Sequence, residues 1–356
     1  MSLLGVFVAL SLVMACGSDS TSPSAIEITF EPGLVGFEAR LDSLRVELRI
    51  PGMAAAIVSD GQIVWSRGFG LADAGANRPA TPQTPFHLAS LTKTFAATIV
   101  MQLVEQGLVD LDDRISRYGI DLGNDEIRVR HLINHTSEGV PGSRFSYNGS
   151  RFNLLDYVIE EASGHSFAEL LVEQILQPLQ LRNTAPNPGD PEDFDLTGFN
   201  RSEFVARMAR GYELDGSTVV PVDLPHLFGT AAGLVASAED YAVYSIAIDQ
   251  GRFLQPETWD SVFTPAISND DETLPYAIGW FIYRYQGVNL QWHYGWWTGN
   301  SSLIVRAPEQ GLAFVVLANS DMLSRAYGLG GDANVMRSDV ARLFIESYVL
   351  GDGSTP

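Results

Sequence analysis

Phe86-His87-Leu88-Ala89-Ser90-Leu91-Thr92-Lys93-Thr94-Phe95 places a hydroxyl and an amine three residues apart where an apolar helix begins. Positions i and i+3 share one face of a helix, so the Lys93 amine can reach Ser90 Oγ without help from distant sequence. The positive end of a helix favours negative charge developing on Ser90 and disfavours the charged form of Lys93; burial lowers the lysine pKa further. A nucleophile beside its own base is the expectation. The pattern S-x-x-K is short, and a helix start followed by a solvated lysine has the same spelling. Its meaning therefore depends on what the rest of the chain brings beside it.

Two other segments bear on that. In Phe145-Ser146-Tyr147-Asn148-Gly149-Ser150-Arg151-Phe152-Asn153-Leu154-Leu155 a loop rich in Gly, Asn and Ser delivers a tyrosine just before an amphipathic helix. His293-Tyr294-Gly295-Trp296 lies between two strand-like runs near the C-terminus. With these, the chain resembles the serine β-lactamase and penicillin-binding superfamily, in the branch holding class C β-lactamases, D-alanyl-D-alanine carboxypeptidases and family VIII esterases. Supporting stretches are Pro51-Gly52-Met53-Ala54-Ala55-Ala56-Ile57-Val58, Leu132-Ile133-Asn134-His135-Thr136-Ser137, Pro178-Leu179-Gln180-Leu181-Arg182-Asn183-Thr184, Ala231-Ala232-Gly233-Leu234-Val235 and Tyr276-Ala277-Ile278-Gly279-Trp280. Two departures stand out. The family's Y-x-N run ends here in Gly149, and Glu138 interrupts its H-T-S-G run.

The resemblance implies acyl transfer, with Ser90 as nucleophile forming an acyl-enzyme and Lys93 and Tyr147 sharing the proton work. Which of those two is the base stays open. A tyrosine near its reference pKa of about 10 is a poor base at neutral pH unless Lys93 favours the phenolate or relays the proton. The oxyanion hole would be formed by the backbone N–H groups of Ser90 and Trp296, each worth on the order of 3 kcal/mol. His293, Gly295 and Asn148 are the expected substrate-binding residues. His293 stands where penicillin-recognising enzymes often carry the lysine of K-T-G, and an imidazole holds a carboxylate less firmly than a permanent ammonium. With no amide at Gly149, Asn148 compensates only if the loop is re-aimed. Both changes favour esters, amides or peptides over strict β-lactamase action. The alternatives are a D,D-carboxypeptidase or class C-type β-lactamase, and a non-catalytic binding or sensor module on the same fold.

Periodicity gives an α+β fold. Phe37, Leu41, Leu44 and Leu48 have helical spacing. Strands are expected at 54–59 and 62–69, joined at the hairpin signal Asp60-Gly61. The Ser90 helix runs to Gln106 and stops at Gly107. Further helices are expected near 153–163 and 166–176, strands at 280–285, 289–293, 303–306 and 312–318, and a closing helix over 333–348. The order implies an antiparallel sheet built from both ends of the chain, flanked by N- and C-terminal helices, with a mostly helical lobe inserted. This is the β-lactamase/transpeptidase-like arrangement. Its catalytic domain would span 35–350, as an α/β lobe over 35–86 and 230–350 and a helical lobe over 87–229.

The N-terminus carries an apolar run, Leu3 to Ala15, too short to span a membrane and ending at the chain's one cysteine, Cys16. This predicts a signal peptide over 1–16 followed by a tether over 17–34. Val13-Met14-Ala15-Cys16 resembles a bacterial lipobox, so Cys16 is the expected lipidation site, an ordinary cleaved signal being the alternative. An exported protein of the periplasm or cell envelope follows. The formal net charge of −21 excludes nucleic acid and anionic membrane surfaces as partners, leaving a small-molecule or peptide substrate. No cofactor is expected. His131 and His135 have helical metal-ligand spacing but lack the glutamate of H-E-x-x-H, so no metal site is expected either.

Overall fold

The computed structural model describes residues 32–351 apart from 217, 224 and 225. The expected signal peptide with Cys16, and the tether as far as residue 31, lie outside the described residues.

Seven antiparallel strands form the main sheet: β1 (Gly52–Ser59), β2 (Gln62–Asp73), β3 (Arg78–Pro79), β4 (Phe281–Tyr285), β5 (Val288–Trp297), β6 (Asn300–Ala307) and β7 (Leu312–Ala318). Their order is β3-β2-β1-β7-β6-β5-β4, so the two ends of the chain meet at the β1–β7 pair in the sheet's middle. Asp60 and Gly61 both take positive φ between β1 and β2, the geometry a two-residue hairpin turn requires.

Every residue of β1 but the last is buried, because both faces of the sheet are covered. Met53, Ala55 and Ile57 face one hydrophobic core with Phe37, Leu41 and Leu44 of α1 (Pro32–Glu47) and with Phe344 and Ile345 near the C-terminus. Ala54, Ala56 and Val58 face the second core, shared with α2 (Thr92–Glu105). That alternation is the period of 2 that a strand imposes. The alanines of β1 keep the strand thin where the helix Ala238–Asp249 crosses it. Helix α1 ends at Arg49, whose positive φ turns the chain toward Pro51 while Ile50 N–H donates to Arg45 O at 3.0 Å.

The closing helix expected over 333–348 is broken. A 3-10 turn, Val335–Arg337, precedes the α-helix Asp339–Phe344, and a wider turn, Ile345–Val349, ends the segment. Ser338 divides it: its side chain accepts from Ala341 N and starts a new helix.

Between β3 and β4 the chain is mostly helix and loop. Helix α2 is its centre, with Thr92 through Met101 all buried. Its inward hydroxyls are satisfied: Thr94 Oγ1 meets the Tyr241 hydroxyl at 2.9 Å and Thr98 Oγ1 meets that of Tyr244 at 2.8 Å. Gly279 at positive φ lets the chain pass over this helix, since a Cβ there would lie 2.4 Å from Ala97 Cβ. Arg306 of β6 is buried but paired with Asp249 and lies over the Phe263 and Trp280 rings, so its charge is compensated.

Candidate active site

Ser90 sits in a 3-10 turn, Ala89–Leu91, that leads directly into α2. Three contacts fix this turn. Leu88 N–H donates to Leu234 O at 2.8 Å, Ser302 Oγ of β6 donates to Leu88 O at 2.6 Å, and Thr92 Oγ1 donates to Ala89 O at 2.7 Å. Ala89 is held at a φ of 49°, a conformation costly for a residue with a Cβ and kept only where surroundings enforce it.

Lys93, the only lysine in the chain, is buried beside it. Its Nζ donates to Ser90 Oγ at 3.1 Å and to Ala231 O at 2.7 Å. No carboxylate pairs with it, so desolvation prevails and pushes its pKa from 10.5 down to about 7. The accepting carbonyl is itself held. Asn153 Oδ1 takes Ala231 N–H at 3.2 Å and Asp156 Oδ1 takes Thr230 N–H at 2.8 Å, while Asn153 Nδ2 bonds Asp156 Oδ2. Burial raises the Asp156 carboxyl to about 6.

Tyr147 enters from the loop before the short helix Gly149–Phe152, with Lys93 Nζ 5.2 Å from its ring centroid. Its hydroxyl is buried toward Ser90 without a hydrogen bond of ordinary geometry, and burial raises its pKa well above 10. The structure thus brings Ser90, Lys93 and Tyr147 together from the α2 turn and the 147 loop.

The third segment comes from β5. Strand β4 pairs with it only as far as Trp292, so from His293 onward that edge of β5 is free to lie against the Ser90 turn. Gly295 is what permits the approach, because a Cβ there would stand 2.1 Å from Leu88 O and 2.2 Å from Ser302 Oγ. Its part is steric, allowing two backbones to touch. Trp296 follows with its indole 42% exposed, whereas Trp292 is fully buried in the sheet core.

Two expected substrate contacts are corrected. His293 is fully buried, with Tyr276 and Phe281 rings 5.8 and 5.3 Å from its own. Its Nδ1 lies 2.7 Å from Tyr294 O, a pure acceptor, so Nδ1 carries the proton and Nε2 accepts from the Tyr276 hydroxyl at 2.9 Å. Both nitrogens are taken, and burial lowers the pKa to about 3. The imidazole is a neutral structural link between Tyr276 and β5, with no free atom for a substrate. Asn148 is equally committed. Its Oδ1 caps the next helix through Arg151 N at 2.9 Å, and its Nδ2 donates to Glu138. It cannot stand in for the amide absent at Gly149, where a Cβ would find only Lys93 Nζ, 3.9 Å away.

Tyr276, Asn153, Asp156 and Glu138 are site residues to which sequence reasoning assigned no role. Tyr276 and Glu138 lay in or beside quoted motifs, but their partners are remote in sequence.

With this geometry in view, comparison with known proteins is direct. The Beta-lactamase family matches residues 37–330, and the chain belongs to that family. It is 26% identical over 317 residues to Protein flp of Staphylococcus aureus strain MW2, covering 76% of this chain and 60% of that one. Penicillin-binding protein 4* of Bacillus subtilis strain 168 is 25% identical over 311 residues, covering 73% of this chain and 66% of its own length. The chain therefore spans just under two thirds of either relative. Among solved structures, the octameric penicillin-binding protein homologue from Pyrococcus abyssi superposes with a TM-score of 0.75 at 25% identity, covering 91% of this chain and 78% of that one. The fold is that of the penicillin-binding proteins and β-lactamases, within a serine hydrolase superfamily of penicillin-binding protein, esterase and β-lactamase type.

Proposed function

We propose that this protein is a hydrolase that forms an acyl-enzyme on Ser90 and cleaves a small ester, amide or peptide bond. The observation that carries the reading is the hydrogen bond from a buried, carboxylate-free Lys93 to Ser90 Oγ. A pKa near 7 leaves much of the amine neutral at physiological pH and able to accept a proton. Lys93 is thus the better base, and Tyr147, whose phenol keeps its proton, the better acid.

In this mechanism Ser90 Oγ attacks the acyl carbonyl as its proton passes to Lys93 Nζ. The carbonyl pair moves onto oxygen, held by the N–H groups of Ser90 and Trp296. Collapse expels the alcohol or amine, which takes a proton delivered through Tyr147. Water then repeats the sequence on the acyl-enzyme, and Ser90 is regenerated. The class C-related branch suits this chemistry without requiring β-lactams as substrates. Neither the clamping cation nor the amide that β-lactam recognition would use is in place, since His293 is neutral and buried and position 149 is glycine.

Export with acylation at Cys16 belongs to the same proposal and rests on sequence alone; loss of detergent-phase partitioning in Cys16→Ser would support it. The activity is tested with a panel of short p-nitrophenyl esters, nitrocefin and D-alanyl peptides, comparing wild type with Ser90→Ala. Ester turnover abolished by Ser90→Ala supports the reading. Faster nitrocefin or D-alanyl peptide turnover favours a β-lactamase or D,D-carboxypeptidase, and no turnover of any substrate favours a binding module.

A further inference from the structure

We infer that Glu138 is a positioning residue for Tyr147, holding the phenol toward Ser90 and Lys93 by gripping the residues on either side of it. The inference rests on the acyl-transfer reading of that site. Ser146 Oγ donates to Glu138 Oε2 at 2.7 Å, and Asn148 Nδ2 donates to Oε1 of the same carboxylate. One side chain therefore ties the positions before and after Tyr147.

Backbone contacts place the same loop on His135. Ser146 N–H donates to His135 O at 2.8 Å and Asn148 N–H to His135 Nδ1 at 3.2 Å. Tyr147 has no such tether of its own. Its hydroxyl lacks a partner, and its ring makes only van der Waals and stacking contacts, with His135 at 4.3 Å and Phe281 at 5.9 Å between centroids. Its direction is consequently set by its neighbours.

A carboxylate suits this task because it offers two acceptor oxygens to two donors that straddle one residue. The bonds from Ser146 and Asn148 hold Glu138 below its usual carboxylate range, so at neutral pH both are charge-assisted and about twice as strong as neutral ones. The site's two departures from the family pattern then have one explanation. Gly149 has no side chain to fasten the loop on the far side of Tyr147, and Glu138 fastens it on the near side.

The test is a double-mutant cycle on whichever panel substrate is turned over fastest. Glu138→Ala should lower kcat by about ten- to a hundredfold, the scale of a misplaced catalytic group, with KM changed less than about twofold. Glu138→Gln should recover most of that, because its amide can accept from Asn148 and donate to Ser146. In a Tyr147→Phe background, Glu138→Ala should cost less than about twofold, since the group it positions is already gone. An undiminished loss in that background, or a full-rate Glu138→Ala enzyme, overturns the inference while leaving the site reading intact. A Tyr147→Phe enzyme with normal kcat sinks both. Should Glu138→Ala not fold, Ser146→Ala removes one arm of the grip, keeps the backbone bonds to His135, and is carried through the same cycle.

Discussion

An amine buried without a carboxylate partner must either be neutralised or destabilise its fold, and Lys93 is neutralised. Its two partners, a serine hydroxyl and a peptide carbonyl, accept hydrogen bonds but carry no charge that would favour an ammonium. His293 obeys the same rule from the other side. Its ring is buried and neutral, with the proton on Nδ1 fixed by Tyr294 O. Replacing it with lysine would therefore bury an ammonium beside the Tyr276 hydroxyl, with Lys93 already contributing positive charge nearby. We expect His293→Lys to lower the thermal midpoint markedly and not to create β-lactam turnover; differential scanning fluorimetry with nitrocefin assays checks both. A variant as stable as wild type that hydrolyses nitrocefin would contradict the assigned tautomer and burial. The nearness of Ser90 and Lys93 was legible from their spacing. The engagement of His293 was not, because Tyr276 is distant in sequence and burial of both partners is a tertiary property.

At the scale of elements, the site exists because β5 can lie directly on the turn before α2. Gly295 enables that contact and Ser302 secures it from the next strand. Gly295→Ala would drive a methyl into Leu88 O, a backbone atom that cannot swing aside. Activity is expected to fall at least about tenfold through displacement of the Ser90 turn, even where circular dichroism shows the sheet retained. An alanine variant with normal kcat/KM would mean that the two segments are looser than their geometry indicates. Strand periodicity and the Asp60-Gly61 turn were readable in the sequence, since each depends on neighbouring residues. The break at Ser338 was less so: apolar spacing runs on through it, and only the cap to Ala341 N reveals a new helix start. Likewise β5 was expected to stop at 293 but continues to Trp297, its last residues being paired by β6.

Across the whole molecule, two cores on opposite faces of one sheet provide the stability that accommodates a buried amine. The cost of that amine depends on pH in a definite direction. The folded state holds Lys93 near 7 and the unfolded chain near 10.5, so between these values the unfolded state binds more protons. Stability from this group thus rises as pH climbs through that window and is lost as pH falls toward 7. Lys93→Met, which keeps the volume and removes the charge, is expected to exceed wild-type stability most at or below pH 7 and to lose that advantage by about pH 10. Urea melts of the two proteins at several pH values measure the difference. A constant offset would mean that Lys93 titrates alike in both states.

The central claim is that Lys93 is a base poised near neutrality beside Ser90, and the chain allows it to be observed alone. Because it contains a single lysine, protein labelled with carbon-13 at lysine Cε yields one side-chain resonance to follow by NMR. We predict a titration midpoint near pH 7 in the folded protein, in step with the alkaline rise of kcat/KM. A midpoint near 10.5, the value of a solvated lysine, would contradict the account.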